Sequence, residues 1–559
     1  MEVKTLNKVK KIICIIVVSI LTVSNIPVQA LSTNLDDKFY NYFSNSIIFK
    51  VGSSKVIRNL FETRMDSSNP NVKLFIKNGV LYLPVSFLTR CLNGIVEWDD
   101  INNCATIQQD SMIIKIKNGD KNVYVDNELI PFTSSIENLQ EKLYVPAVEY
   151  TEKVLNKEIF INNGIVIIGD RDAIWRNKID NNLLNYILQR FNDLENEMFI
   201  IDQNGKQGYI NKTGKVVISP QYKKVKGFSE GFAPVYDVNG MWIIDKKGNK
   251  LTQNKYFRVD YFSNGLAAAS LYKNGSFKDG FLDRSGKFKI ITDQGYSNYS
   301  DGLVVVCERD NNSMKFGYMD KEGKIAIDFK FDYAFDFYNG IAVVISDGKV
   351  GYINKKGDYI IKPQFGKMKN YGYSFFREGI AVANVGDSDN KKFVYIDQKG
   401  EIISQEYYDD AYPMSDGLAP VVKIQNGKNK YGYIDRYGQS VIPIQYDDAW
   451  GFVDGVALVK LGSKYNFIDK KGNLISELYF DYAFSFSEGL GCVYIEDKGF
   501  GYINKKGNFV IGPKYTDGST FVNGLAYVCD EKLEGYINKQ GKYIWSKKCE
   551  EGKDYTVIQ

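Results

Sequence analysis

Ten times between Tyr209 and Gly541 the chain repeats one short pattern: an apolar residue, usually aromatic, one further residue, then Asn or Asp, two more residues, and Gly. It opens at Tyr209, Ile243, Phe281, Tyr318, Tyr352, Tyr395, Tyr433, Phe467, Tyr502 and Tyr536, with glycines 34 to 43 residues apart. Asn or Asp at a turn bonds its own backbone two residues on, and Gly supplies the left-handed conformation that lets a chain reverse. Each copy therefore predicts a strand, a tight turn and a returning strand. A repeat of this length cannot bury its own apolar face, so tandem copies must stack.

A second pattern falls between the copies: Ser229-Glu230-Gly231-Phe232-Ala233, Ser263-Asn264-Gly265-Leu266-Ala267, Asp416-Gly417-Leu418-Ala419 and their equivalents at 339–342, 454–457 and 487–490. It is another turn feeding an apolar strand. Composition agrees, with 40 Tyr, 34 Phe and 49 Gly against 12 Pro. That mix favours short strands and tight turns. The expected fold is mainly β: antiparallel meanders of three or four strands in an open curved array, since nine or ten units exceed the four to eight blades of an ordinary propeller. A closed β-propeller is the alternative. Stacking assigns the periodic aromatics to the core between sheets rather than to sugar-stacking platforms.

Residues 1–30 carry Lys4, Lys8, Lys10 and Lys11, an apolar run from Ile12 to Val23, and a small-residue site ending at Ala30. These are the three parts of a signal peptide, and the run is short of the roughly twenty residues a span needs. The expectation is a secreted or surface protein with no transmembrane span after cleavage. Residues 31–45 read as a linker, 46–170 as a small α+β domain, 171–197 as an amphipathic connector helix covering the first repeat, 198–549 as the array and 550–559 as a tail. The domain echoes itself, with Leu81-Tyr82-Leu83-Pro84 returning as Leu143-Tyr144-Val145-Pro146, each before an apolar-periodic stretch. Strand, turn and helix, twice over, is the predicted unit.

These features carry two resemblances. Residues Lys77–Pro84, Gly94–Asp99 and the second Leu-Tyr-Val-Pro copy resemble the copper amine oxidase N-terminal-like domain of exported bacterial proteins, which implies an accessory module. The tandem patterns resemble the WG, or KWG, repeats of bacterial surface and secreted proteins. The Trp that names those repeats is replaced by Phe316, Phe393, Tyr431, Tyr465 or Phe500, and elsewhere by Gln207, Met241 or Val350.

Chemistry is narrowed by what is missing. The chain has no His, which excludes Ser-His-Asp and Cys-His catalysis and imidazole metal sites. The net charge of +4 falls to about +1 without the four Lys and one Glu of residues 1–30, so bulk charge gives no reason to expect a nucleic-acid partner. Of seven Cys none forms C-x-x-C, and Cys91 with Cys104 is the pair closest in sequence. Asp387-Ser388-Asp389-Asn390 lacks the Gly and Glu of a calcium loop. No cofactor or catalytic residue is assigned.

The function expected is that of a non-enzymatic binding or scaffold protein, its partner a cell-wall polymer, a glycan or another surface protein. A carboxylate hydrolase acting on a wall glycan, through pairs such as Asp447 and Asp448, is the alternative. Lys-bearing turns such as Lys470-Lys471 should share an edge with the acidic Ser-x-Gly turns and neutralise them. The longer repeats place their extra residues in one connection, on the opposite edge. That edge supplies the candidate ligand-binding residues: Lys273, Lys278, Arg309, Asp387, Asp389, Lys392, Lys428 and Lys430.

Overall fold

The computed structural model describes residues 35–549, apart from 37, 44, 67–68, 70, 93, 100–101, 110–111, 140–141, 239, 253, 295–296, 311–312, 369–370 and 388–389. The expected signal peptide and tail lie outside the described residues. Among those described, no helix is long and apolar enough to cross a membrane.

The duplicated α+β unit is present. Strand Val80–Pro84 runs into helix Val85–Cys91, and strand Lys142–Pro146 runs into a short helix at Ala147–Glu149 that continues as a wider turn to Val154. The two Pro-terminated strands pair antiparallel, Tyr144 to Pro84 and Pro146 to Tyr82, so the echo in sequence becomes an approximate twofold in space. Proline at a strand end suits both copies, because its fixed φ and missing N–H also open a helix. Leu83, Phe87, Leu88, Val145 and Tyr150 meet in one core beneath the meander of residues 95–131.

Two boundaries differ from expectation. Residues 35–36 and 38–42, expected as linker, are helical and bury Phe39, Tyr40 and Phe43. The connector helix is shorter, Asn181–Glu195, because the Asp180 carboxylate caps Leu183 N–H at 2.8 Å and fixes its start. Its apolar face does not cover the first repeat. Leu183, Leu184, Ile187 and Phe191 pack on Phe39, Ile48, Ile57 and Ile167, one face of the sheet formed by 47–64 and 158–169.

From Met198 onward ten small antiparallel sheets follow one another among the described residues, each of two to four strands. The fifth shows the pattern: Tyr333–Ala334, Ile341–Ser346, Lys349–Asn354 and Tyr359–Phe365, each hydrogen-bonded to the next. The seven turn glycines at 214, 286, 323, 357, 438, 472 and 507 all have positive φ, between 75° and 85°. Tyr209, Tyr318, Tyr352, Tyr395, Tyr433 and Tyr502 are fully buried, as a core role requires. Most of their hydroxyls tie one sheet to the next: Tyr318 OH donates to Phe335 O at 2.8 Å, Tyr433 OH to Trp450 O at 2.9 Å and Tyr502 OH to Ser519 O at 2.8 Å.

The array does not stay open, and the alternative arrangement is the one its contacts describe. Each turn glycine sits against the preceding sheet: Gly323 on Ile290, Gly357 on Ile327, Gly472 on Ile442, Gly541 on Ile511. Gly214, in the first sheet, sits on Ile544 of the last. Tyr536 OH donates to Ile200 O at 2.9 Å, repeating at the seam the bond made inside the array. Phe199, Ile201 and Ile210 share a cluster with Leu525 and Trp545. Blade counts in known propellers suggested too many units to close; here the last-to-first contact has the same chemistry as the others.

Candidate functional site

The two turn types occupy one edge of the ring, as strand alternation requires. In the Ser-x-Gly turns the middle residue takes positive φ, about 50° at Glu230 and 52° at Asp301, and its side chain accepts from the turn glycine of the next sheet. Gly302 N–H donates to Asn264 at 2.7 Å, Gly340 N–H to Asp301 at 2.7 Å, Gly455 N–H to Asp416 at 2.6 Å and Gly524 N–H to Glu488 at 2.9 Å. The Ser hydroxyl reaches the same neighbour, as from Ser415 to Phe452 O at 2.6 Å. Basic residues of the other turns neutralise this belt. Lys470 pairs with Asp416 at 3.1 Å, Lys539 with Glu488 at 3.3 Å, and Lys505 with Asp454.

The N-terminal domain and its two helices are seated on this edge. Tyr40 OH donates to Glu230 at 2.6 Å and accepts from Arg190 at 2.7 Å; Arg284 lies between Asp36 at 3.3 Å and Glu230 at 3.7 Å. Arg64 pairs with Glu488 at 2.7 Å and Glu197 at 3.1 Å, and also donates to Asn523. Tyr437 OH donates to Glu97 at 2.9 Å. Burial raises Asp36, even with Arg284 beside it, and raises Asp301 despite the Gly340 N–H. A cavity of about 230 Å³ lies in this interface, lined by Asp36, Tyr40, Asn264 and Arg284. It is smaller than an ordinary ligand pocket, roughly 300–1,000 Å³.

The opposite edge carries the hairpins expected to bear a ligand. In three of the four the added residues form extra ladder rungs: Tyr272 pairs with Phe277 and Lys273 with Ser276, Arg309 with Met314, and Gln425 with Lys428; Asp387 lies beyond the last rung of its sheet, Asn384 with Phe393. Asn-Gly at 274–275 and 426–427, both at positive φ, makes the tight turn that permits this. Lys273, Lys278, Arg309, Asp387 and Lys428 are exposed on this edge. Asp389 lies outside the described residues.

Lys392 and Lys430 are committed elsewhere. Lys392 pairs with Asp409 at 3.0 Å and Lys430 with Asp447 at 2.7 Å, and the same tether recurs as Lys315 to Asp332 at 2.7 Å and Lys464 to Asp481. Each Asp lies 17 residues beyond its Lys, in the next sheet. The other carboxylate oxygen accepts from the neighbouring hairpin, as from Gly462 N–H to Asp447 at 2.7 Å. The Lys430 hydrogen bond holds Asp447 below the usual carboxylate range, and Lys315 does so for Asp332. Asp448, raised by burial, follows Asp447 directly along the chain, so the two carboxylates leave opposite faces and cannot flank one substrate.

The tether is not made in every sheet: Lys223 and Thr516 make the equivalent backbone bond in the second and the last. At the place of Asp332, Asp409, Asp447 and Asp481 the third sheet has Phe257, whose N–H makes the same backbone bond, to Ser270 O at 2.9 Å. Phe257 is 70% exposed and packs edge to face with Phe277, ring centres 5.2 Å apart, which packs at 4.9 Å on Tyr272; those two are 53% and 56% exposed. Lys273 and Lys278 follow Tyr272 and Phe277 directly along the paired strands and so leave the opposite face, with Lys278 Nζ 4.9 Å from the Phe288 ring centre. Strand Ala267–Lys273 leads from Gly265, packed on Tyr40, to this patch, so about 23 Å separates it from the N-terminal domain at roughly 3.3 Å per residue. Sequence reasoning found the neighbouring lysines and missed Phe257. The signal was there: an aromatic at a position that holds Asp in four other repeats and Lys223 or Thr516 in two more.

Seven segments, 208–242, 316–349, 351–387, 395–428, 431–465, 467–498 and 500–533, match the model of the WG containing repeat, and 65–168 matches the copper amine oxidase N-terminal domain. The class is thereby fixed. The chain is a tandem WG-repeat protein carrying a copper amine oxidase N-terminal domain. Matched repeats straddle the sheets: 351–387 begins in the third strand of one and ends beyond the first hairpin strand of the next. No copper site follows from the domain's name, because the chain has no His and the described residues hold no group of three His, Cys, Asp or Glu placed for a metal.

No curated protein matches. Among solved structures the chain is similar to Porphyromonas gingivalis dipeptidyl peptidase 4, at 9% identity and TM-score 0.29 over 56% of this chain and 64% of that one. It is also similar to the tricorn protease, at 11% and 0.24 over 89% and 56%, and to a putative TolB from Agrobacterium tumefaciens, at 14% and 0.20 over 37% and 86%. The chain spans less than two thirds of the length of the first two.

Proposed function

We propose that this is an exported, non-enzymatic binding or scaffold protein of the cell surface or wall, which takes a wall glycan on the edge of the ring away from its N-terminal domain. One observation carries the reading. In the third sheet, at the place where four other sheets hold a tethering Asp, Phe257 packs with Phe277 and Tyr272 as three exposed aromatics. Exposed aromatics gathered on one edge mark a binding surface. Their rings offer apolar faces to the apolar faces of sugar rings. Asp332, Asp409, Asp447 and Asp481 are held by lysines in the tethers.

The test is co-sedimentation of the mature chain with purified cell walls. Replacing Phe257, Tyr272 and Phe277 together by Ser should abolish binding and leave the melting temperature unchanged. Binding that survives the triple replacement refutes the patch as the site. Failure to find the chain outside the cell refutes export.

A further inference from the structure

Cys529 ends the strand Leu525–Cys529 and Cys549 follows the strand Tyr543–Lys548, on either side of Leu533–Asn538 in the last sheet. Where that sheet ends, Cys549 N–H donates to Lys532 O at 3.0 Å, which draws the chain end over the hairpin. The two Sγ atoms then lie 3.2 Å apart, both beside Asp530 O, at 3.4 and 3.3 Å. Cys529 is buried and Cys549 partly exposed. Sequence proximity had singled out Cys91 and Cys104; these two are 20 residues apart and meet through the fold.

Their position matters more than their distance. The strand leading to Cys549 also carries the seam of the ring: Ile544 lies under Gly214, Trp545 packs in the Phe199 cluster, and Lys547 lies between Asp202 at 3.4 Å and Glu534 at 2.9 Å. We infer that Cys529 and Cys549 form a disulfide that latches the closing strand and so holds the ring shut. The bond needs the sulfurs to close from 3.2 Å to about 2.05 Å.

The oxidant is a small-molecule or protein disulfide, the class that supplies such bonds outside the cytosol. The more exposed Cys549 loses its proton and attacks one sulfur of that disulfide, expelling a thiol and forming a mixed disulfide. Cys529, deprotonated in turn, attacks the Cys549 sulfur and expels the second thiol. The two protons and two electrons lost by the cysteines pass to the oxidant, which leaves as two thiols. Burial and the adjacent Cys529 thiol raise Cys549 above an ordinary thiol, so the exchange should quicken as pH rises.

The experiment uses the full mature chain, reduced and then incubated with glutathione disulfide, alkylated in denaturant and mapped by mass spectrometry. The expected result is a reductant-sensitive link between the Cys529 and Cys549 peptides, with trypsin cleavage at Lys547 and Lys548 slowed several-fold in the oxidised chain. Cys549→Ser should remove both the link and the redox dependence of cleavage, and Cys104→Ser neither. Alkylation of both thiols after oxidation, or a link from either to another cysteine, overturns the pairing. A link that leaves tryptic cleavage unchanged overturns the latch.

Discussion

Closure of the ring can be tested with one methyl group. Gly214 and Gly417 both have φ near +84°, so replacing either with Ala incurs the same left-handed penalty, about 1–2 kcal/mol. They differ in what the new Cβ would meet. At Gly417 nothing lies within 4 Å, whereas at Gly214 the carbonyl oxygen of Ile544 stands 2.1 Å away, its carbon 3.0 Å and its Cγ2 3.1 Å. Relieving that clash means moving the last sheet off the first, an overpacking cost of about 1–3 kcal/mol. Gly438→Ala, inside the array and 2.5 Å from Ile403 O, sets the scale for an ordinary sheet-to-sheet contact. Thermal unfolding followed by near-ultraviolet dichroism is the assay, with each kcal/mol worth roughly 1–2 °C in a domain this large, by extension from smaller ones. Gly214→Ala should fall with Gly438→Ala, several degrees below Gly417→Ala. If it behaves like Gly417→Ala, the first and last sheets do not touch and the array is open.

Other outcomes follow from the tethers and the core. Tyr433→Phe removes the hydroxyl bonded to Trp450 O in a buried place and should cost about 1–2 kcal/mol in urea titration, against no change at exposed Tyr407. Lys430→Met should cost no more than about 1 kcal/mol, because its pair with Asp447 is partly exposed, and should leave wall binding intact. Asp332, Asp447 and Asp481 have lowered values in the folded chain, so the stability they lend is present above their ordinary 3.8 and lost as pH falls through the folded values. Melting temperature should therefore drop below pH 4, less steeply in the triple Asn variant; equal slopes would show that the tethers do not hold the sheets. Arg64→Ala should expose the ring edge at Glu488 to proteases or hydrogen exchange without unfolding the sheets, since it removes contacts between domains only.

Local structure was legible because its causes are local. An Asn or Asp three residues before a Gly closes a turn wherever it falls, so the positions of the hairpins, the positive φ of their glycines and the burial of Tyr318 or Tyr433 could be read directly. The twin Leu-Tyr-x-Pro units were legible for the same reason, and pairing of Tyr144 with Pro84 only placed them side by side. Even the charge balance of the turn edge followed from strand alternation. The linker was misread because Phe39, Tyr40 and Phe43 stand among polar residues and find their core only against the distant helix Asn181–Glu195.

What the tertiary structure decided are quantities that no short window contains. Whether ten sheets close depends on a small rotation between neighbours summed around the array, and the bond that reports it joins Tyr536 to Ile200 across 336 residues. The seat of the N-terminal domain on the belt, the use of Lys392 and Lys430 as tethers, the packing of Phe257 against Phe277 and the approach of Cys529 to Cys549 all depend on which elements the fold brings together. Sequence periodicity fixes what each repeat is made of. Packing between repeats decides which of its side chains are left for anything else.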